Sequence, residues 1–368
     1  MGRMIDRRAL GRTRSKSASH GRVLTRRRLL ASSAGLAAAA FAGPVAAMRL
    51  APPTELEPAA GPQAPVDPRH LTGDVAGEVS YLLTDGDRTL VDVALERDLG
   101  ILGISALNPG VDVWVPGADR LVALPTAYVL PEHERQGIIV NLAELRLYHF
   151  QDPDTAPSVH TIGIGRDGFA TPLGPTKVTR KQADPIWYPT EATRADRPDL
   201  PTMVPAGPDN PLGRHALYLG FPTYLIHGTN KPYGVGRRVS RGCIRMYPDV
   251  VADLFDRVPV GTPVRIMDDP IKLGWSAGEL YLEVHPDHEQ LDELEADYRF
   301  TKKPPPDIAP RIIAKAGDAS SRLAWDVIDQ ELINRRGVPV RITKADTADL
   351  GGDRRDGSSI PSGFIGIY

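Results

Sequence analysis

Cysteine is nearly absent from this sequence, since Cys243 is the only one in 368 residues. A buried structural cysteine usually lies among apolar neighbours, whereas Cys243 follows Gly242 in a polar segment. His227 lies 16 positions earlier, after a short apolar run that predicts a strand. The two residues suit a Cys/His nucleophile pair, and the alternative is a chance pairing of one thiol with one of nine histidines.

Net charge is also scarce, at −2 for the whole chain. This small value hides an asymmetry, because residues 1–47 carry nine arginines and one lysine against Asp6 alone, which leaves −11 for the remainder. Proteins that bind nucleic acid need a basic face to neutralise phosphates. The acidic body therefore argues against nucleic acid as a partner.

Long apolar runs are missing after residue 47. The one such run, residues 29–47, is rich in alanine and directly follows paired arginines, so residues 1–47 resemble a signal peptide of the twin-arginine type. The alternative is an uncleaved anchor, but the run only just reaches the shortest spanning length of about 17 residues. We expect export to the periplasm without a stable membrane span.

Export gives the single cysteine a further meaning. The periplasm is oxidising, and exported chains normally pair their cysteines or lack them. The odd thiol is therefore expected to be reactive.

The first part of the exported chain predicts a linker followed by a small module. Residues 48–78 are rich in proline and alanine and predict a flexible linker. Within 79–130 the pattern predicts a strand, a helix with Asp87 as its N-cap, a second short helix and a closing strand. This βααβ order resembles a LysM module, which implies binding to the glycan strands of peptidoglycan. The alternative is a small domain that only packs on its neighbour.

The remainder predicts two further regions. Residues 136–268 contain many short strands and few helices, which indicates a mostly-β, sandwich- or barrel-like domain. Its long stretch 183–213, rich in Pro, Asp and Arg, is typical of a lid or binding loop. Residues 269–368 predict an α+β extension with strands at 279–284 and 338–342 and a helix at 324–335, and the end from 349 on is expected to be peripheral.

Four segments of the β domain together carry a family resemblance: the hairpin at 137–150, the turn at 171–174, the segment 226–229 and the segment Ser-Arg-Gly-Cys-Ile-Arg at 240–245. They resemble an L,D-transpeptidase catalytic domain of the YkuD type, in its ErfK/YbiS-like branch. One position departs from the pattern, because the family most often has His directly before Gly-Cys and this chain has Arg241. The departure puts the role of that side chain in doubt, but not the nucleophile.

The resemblance implies roles for the residues of the motif. Cys243 would be the nucleophile, and His227 would take its proton to give a thiolate–imidazolium pair. The carbonyl of Gly228 would hold the imidazole. The backbone N–H groups of Gly242 and Cys243 would form an oxyanion hole.

Further residues are candidates for binding or support. Arg245 is expected to bind a substrate carboxylate, with a surface ion pair as the alternative. Arg241 either adds positive potential beside the thiol or orients the loop, while Ser240 and Tyr224 are substrate-side candidates that are expected to act mainly as supports.

Trp187 and Tyr188 are expected either to line the substrate groove or to pack in the core. His149 and His160 lie on predicted strands and are expected to be structural. His285 and His288 in the tail are expected at the surface, without a metal.

The resemblance also implies the substrate and the partners. The substrate would be a peptidoglycan tetrapeptide stem that loses D-Ala, and the acceptor an amine on a second stem or on a wall-attached lipoprotein or outer-membrane protein. No cofactor or metal is implied. The alternatives are an L,D-carboxypeptidase or other hydrolase with the same Cys/His site, or a non-catalytic wall-binding protein.

Overall fold

The computed structural model describes residues 73–344. The predicted signal peptide, most of the predicted linker and the final residues 345–368 lie outside this range. No helix within residues 73–344 is long and apolar enough to cross a membrane.

The N-terminal region has a βααβ core with one strand on each side. Its elements are β1 (Val75–Gly77), β2 (Ser80–Asp85), α1 (Leu90–Glu96), α2 (Ile101–Leu107), β3 (Ala118–Leu124) and β4 (Ala127–Val129). Antiparallel pairing joins β2 to β3 and β1 to β4. The strand β1 falls inside the predicted linker, so the linker prediction is wrong for residues 75–77.

The first helix begins later than predicted. Thr89, not Asp87, is its N-cap, and a reciprocal capping box joins the side chains and backbone N–H groups of Thr89 and Asp92. The Asp85 carboxylate accepts hydrogen bonds from the N–H groups of Asp87 and Arg88, which forms a turn ahead of the helix. The predicted N-cap at Asp87 is therefore wrong, because the capping box with Asp92 at N3 places the start of the helix at Thr89.

The central region is built on an eight-stranded sheet. Its elements are β5 (Gly137–Asn141), β6 (Arg146–Phe150), β7 (Ser158–Thr161), β8 (Ile164–Gly165), β9 (Gly174–Ala183), α3 (Glu191–Asp196), β10 (His215–Leu219), β11 (Leu225–His227), β12 (Arg238–Ser240), β13 (Ile244–Arg245), α4 (Pro248–Arg257) and β14 (Pro263–Met267). The strand order is β13-β11-β10-β9-β14-β5-β6-β7, and β8 pairs with β12 separately. The mostly-β prediction is confirmed.

The core of this sheet follows from its apolar runs. Every residue of β5 and β6 is buried, as expected for strands covered on both faces. Helix α4 presents Val251 and Leu254 to the core, and it packs beside β10. The core cluster also includes Leu90 and Leu102, so α1 and α2 pack against the same core as the sheet.

The long stretch between β9 and β10 is an ordered loop that contains α3. Trp187 and Val204 form an isolated antiparallel bridge. The buried side-chain amide of Asn210 donates to the carbonyl groups of Pro185, Val204 and Pro205, which ties the two ends of the loop together. These contacts satisfy backbone carbonyls that a loop would otherwise leave unpaired.

The C-terminal region has more structure than its sequence predicts. Its elements are β15 (Ile271–Ser276), β16 (Glu279–Val284), α5 (His288–Asp297), α6 (Ala309–Ala316), α7 (Trp325–Asn334) and β17 (Val340–Arg341). The predictions for β16 and α7 agree with the structure within one residue at each end, and β17 occupies the centre of the strand predicted at 338–342. The pattern did not predict β15, α5 or α6. Helix α5 is rich in charge and buries few apolar residues, so its apolar periodicity is weak.

Candidate active site

His227 ends strand β11, which lies between β10 and β13 near one edge of the sheet. Its side chain is buried, and its Nδ1 atom lies 2.6 Å from the carbonyl oxygen of Gly228. A carbonyl only accepts, so Nδ1 must carry the proton in this contact. In the neutral ring Nε2 is then free of a proton and able to take one.

Cys243 lies in the turn between β12 and β13, and the turn depends on the glycine before it. Gly242 has φ +101°, and an added Cβ would lie 2.8 Å from the Cε1 atom of Tyr224. The hydroxyl of Thr171 donates to the Gly242 carbonyl at 2.9 Å. Any larger residue at position 242 would therefore meet both backbone strain and a clash with Tyr224.

Ser240 holds the same turn from inside. Its hydroxyl donates to the Cys243 carbonyl at 2.6 Å and accepts from the Gly242 N–H at 3.1 Å. The Gly242 N–H is thus already engaged, which contradicts its expected place in an oxyanion hole. Of the two expected backbone donors, only the Cys243 N–H remains.

The thiol of Cys243 has a partner that the sequence did not indicate. Its Sγ atom donates to the carbonyl of Thr223 at 3.4 Å. Thr223 has φ +70°, which is unusual for a β-branched residue and places it in a strained turn before β11. A single threonine with no special sequence context carries no signal of this kind, because the backbone angle arises only in the folded turn.

Burial favours the neutral form of both members of the Cys/His pair. It raises the pKa of the Cys243 thiol, and the backbone at Leu225 and the charge of Arg245 offset only part of this. Burial, followed by the charge of Arg245, lowers the pKa of His227 to about 4 despite the carbonyls of Gly228 and Leu212. Both effects favour the neutral thiol and imidazole, which opposes the expected resting thiolate–imidazolium pair.

Cys243 and His227 line one cleft of about 740 Å³. The face of the sheet that carries His227 forms part of the cleft lining, and the loop that contains α3 also contributes lining residues. Trp187 and Tyr188 of that loop are among them, and neither belongs to the buried core. Cationic lining residues are Arg180, Arg241 and Arg245.

Arg241 contacts the loop that contains α3. One of its guanidinium nitrogens lies 2.6 Å from the carboxylate of Asp196, the last residue of α3. The guanidinium carbon lies 4.6 Å from the centre of the Phe169 ring. Arg241 therefore joins the nucleophile turn to that loop.

Arg245 follows Cys243 by two residues, and the parallel pairing of β11 with β13 sets it beside His227. It is partly buried, and among residues 73–344 it makes no ion pair with a carboxylate. The predicted alternative of a surface ion pair is therefore absent from the part of the chain that the structure describes. A partly buried guanidinium beside a cleft is suited to an anionic ligand.

A second polar cluster lies away from the cleft, where β6, β15 and β16 meet. Lys272 Nζ lies 2.7 Å from the Glu144 carboxylate and 3.3 Å from that of Glu283. Arg146 and His285 each contact Glu283 at 2.7 Å. His285 is buried, so its predicted surface position is wrong.

This cluster also contains a possible ligand set for a metal ion. Atoms of Glu144, Glu283 and His285 lie within 4.8 Å of one another. However, Lys272 and Arg146 already occupy the space and neutralise the charge between the two carboxylates. The arrangement is that of an internal ion-pair network.

The two strand histidines lie outside the cleft. His160 Nδ1 is 2.8 Å from the carboxylate of Asp98 in the N-terminal region. His149 is buried in β6, and burial lowers its pKa to about 4. Both histidines therefore have contacts typical of a structural role.

Comparison with known proteins gives a consistent family. Residues 135–266 match the YkuD family, described as the L,D-transpeptidase catalytic domain. A probable L,D-transpeptidase ErfK/SrfK of Salmonella typhimurium is 42% identical over 66% of this chain and 79% of its own length. A probable L,D-transpeptidase YbiS of Escherichia coli is 37% identical over 76% of this chain and 90% of its own length.

Solved structures show a more distant likeness. The catalytic domain of an E. faecium L,D-transpeptidase is 23% identical, with a TM-score of 0.30 over 37% of this chain and all of that domain. The sequence relatives, in contrast, match this chain over most of their own length. This chain therefore belongs to the L,D-transpeptidase family, an enzyme class, within which it matches ErfK/SrfK and YbiS proteins at about 40% identity.

Proposed function

We propose that this protein is a peptidoglycan L,D-transpeptidase in which Cys243 is the nucleophile and His227 the base. The observation that carries the proposal is the placing of both side chains on one cleft, with His227 Nδ1 held by the Gly228 carbonyl. That hydrogen bond leaves Nε2 as the proton acceptor. Arg245 then supplies a cation for a substrate carboxylate within the same cleft.

The first half-reaction forms a thioester. Cys243 Sγ attacks the carbonyl at the L-centre of diaminopimelate in a tetrapeptide stem, while its proton passes to His227. The S–C bond forms and the C–N bond to D-Ala breaks, and His227 returns the proton to the departing amine. Because burial keeps both groups neutral in the free protein, proton transfer accompanies the attack and does not precede it.

The second half-reaction transfers the acyl group. An amine acceptor attacks the thioester, loses its proton to His227 and releases the Cys243 thiol. The acceptor is an amine of a second stem, which gives a 3-3 crosslink, or of a wall-attached lipoprotein or outer-membrane protein. A transferase must favour this amine over water at the thioester.

The remaining residues have supporting roles in this proposal. The Cys243 N–H stabilises the oxyanion, and removing one such donor typically costs about 3 kcal/mol of transition-state stabilisation. Ser240 and Tyr224 hold the turn rather than bind substrate, since their hydroxyls contact the backbone at Cys243 and Ala170. Arg241 orients the turn through Asp196.

The proposed setting is the periplasm. Its basis is the twin-arginine-type pattern in residues 1–47, together with the peptidoglycan substrate expected of the family. The LysM-like order of β2, α1, α2 and β3 supports a role in holding glycan strands near the cleft.

The test is an incubation of the purified exported protein with a disaccharide-tetrapeptide, followed by mass spectrometry. A crosslinked dimer with release of D-Ala is the expected product. A tripeptide alone would identify a carboxypeptidase instead. No product, with no adduct on Cys243, would indicate a wall-binding protein without catalysis.

A further inference from the structure

Arg180 is a cationic side chain of the cleft to which neither the sequence motif nor the family match assigns a role. It lies on β9, on the far side of the cleft floor from Cys243. Its position follows from the strand register. Antiparallel pairs set Arg180 opposite Tyr218 and Tyr218 opposite Leu225, and all three line the cleft.

The neighbouring row of side chains contains the proposed machinery. Gln182 pairs with Ala216, Ala216 with His227, and His227 with Arg245. Directly paired residues share a face of a sheet, and so do residues two apart on one strand. Arg180 therefore lies on the same face as His227 and Arg245.

The separation of these groups is set by the number of strands between them. From β9 to β13 there are three strand steps of about 4.8 Å each, and Arg180 lies two residues, about 7 Å, along β9 from the row of Arg245, which together give about 16 Å. An extended peptide spans about 3.3 Å for each residue, so about five residues bridge that distance. Arg180 and Arg245 thus stand at the two ends of a peptide-sized floor.

Arg180 also has the contacts of a binding group and lacks those of a structural one. Its guanidinium carbon lies 3.5 Å from the centre of the Tyr218 ring, which restricts the side chain while leaving its N–H edge available. Within residues 73–344 it makes no ion pair, and its polar contact is a 3.4 Å approach to the Gln182 side-chain oxygen. Arg214 and Arg241, in contrast, each contact a carboxylate.

We propose that Arg180 is a specificity-determining residue that binds a second carboxylate of the donor peptide, away from the carbonyl that reacts. The substrate class is then an anionic peptide with two carboxylates that Arg245 and Arg180 recognise separately. In a tetrapeptide stem the second group is the free carboxylate of the second residue. This inference rests on the proposed function, because it takes the stem as the ligand of the cleft.

The test compares two tetrapeptide stems that differ only in that carboxylate, free in one and amidated in the other. The kcat/KM for D-Ala release is measured with the wild-type protein, with Arg180→Gln and with Lys181→Gln. Lys181 is the matched control, since it is the next residue of β9, points to the opposite face and packs on Phe255. Thermal unfolding of each variant checks that the fold is retained.

We expect the wild-type protein and Lys181→Gln to prefer the free acid by about tenfold, a typical ratio for loss of one charged hydrogen-bonded contact. Arg180→Gln should show the same low kcat/KM for both stems. Equal rates with the wild-type protein, or a preference that survives in Arg180→Gln, would overturn the inference.

A binding measurement separates this inference from the proposed function. Calorimetric titration of Cys243→Ala with the two stems needs no turnover, and it should give the same preference, lost on adding Arg180→Gln. If the wild-type protein is inactive but this preference is present, the reaction is wrong and the anion site stands. If the protein turns over both stems equally and binds them equally, the reaction stands and the anion site is wrong.

Discussion

Two regions of this protein that contain buried ionisable groups differ in whether those groups are paired with an opposite charge. In the cluster of Lys272, Glu144, Glu283, Arg146 and His285, every charged group has at least one partner within 3.3 Å. In the cleft, Arg245 has no carboxylate partner among residues 73–344, and Cys243 and His227 are held neutral. Paired charges stabilise the fold, whereas unpaired ones remain available to a ligand.

The pKa values follow the same division. Burial alone would raise the pKa of Glu283, but Lys272, the hydrogen bond from His285 and Arg146 outweigh it and lower the pKa to about 2. At His227 the carbonyls of Gly228 and Leu212 oppose burial only in part, and Arg245 adds to the downward shift of the pKa. Neighbouring charges therefore keep Glu283 ionised in spite of burial, whereas burial keeps His227 neutral.

The largest effect should come from Cys243→Ala. Removing the nucleophile leaves only binding and the oxyanion donor, so release of D-Ala should fall on the order of 10⁴-fold or more. The free energy of unfolding should change little, because the hydrogen bond from the thiol to the Thr223 carbonyl is long, at 3.4 Å. The readouts are D-Ala release and urea unfolding, and full activity in this variant would rule out the mechanism.

Lys272→Met should have the opposite effect, with a large loss of stability and little change in activity. It removes one of the two cations that contact the buried carboxylates of Glu144 and Glu283, so the free energy of unfolding should fall by about 3–5 kcal/mol. Arg88→Met is the matched control, since the ion pair of Arg88 with Glu96 is exposed and contributes at most about 0.5 kcal/mol. Equal losses in the two variants would contradict the distinction between the regions.

The pH dependence of catalysis tests the neutral state of His227. With a pKa of about 4, the imidazole accepts a proton at any pH above that value, so the acid limb of kcat/KM should lie near pH 4. An acid limb near 6.5 would indicate an unshifted histidine. Labelling of Cys243 by iodoacetamide should rise with pH above the usual thiol range, since burial raises the pKa of the thiol.

The same shift makes a prediction for stability. The unfolded chain binds the His227 proton below about pH 6.5, whereas the folded protein binds it only near pH 4. The free energy of unfolding should therefore decrease as the pH falls from 6.5 towards 4. His227→Gln should lose part of this dependence and keep the part due to His149, whose pKa is also about 4.

Asp196→Asn should give the smallest effect. The ion pair with Arg241 is half exposed, so its loss should cost no more than about 1 kcal/mol of stability. Because it joins α3 to the nucleophile turn, the variant should raise KM more than it lowers kcat. Asp199→Asn, which alters an exposed pair on the same loop, should leave KM unchanged. A matching rise in KM there would mean that Asp196 has no special role.

Much of the fold was accessible from local patterns. The hairpin of β5 and β6, strand β16 and helix α7 were predicted from apolar runs or apolar periodicity, and their predicted positions agree with the structure within a few residues. Helix α5 was not predicted because it is rich in charge and its apolar periodicity is weak. Helix α6 was also not predicted, although it buries Ile312 and Ala316 in the core of the C-terminal region. The N-cap is Thr89 rather than the predicted Asp87, because Thr89 forms a reciprocal capping box with Asp92.

Cys243, Gly242 and His227 of the candidate site could be predicted from the amino-acid pattern, because a lone cysteine, a preceding glycine and a strand-end histidine are local chemical features. Their protonation and their contacts depend on the folded protein. Burial and the nearby Arg245 set the two pKa values, the Ser240 hydroxyl occupies the Gly242 N–H, and the strand register brings Arg180 onto the face of His227. Each of these depends on groups that are distant in sequence or on solvent exclusion, which a linear pattern does not contain.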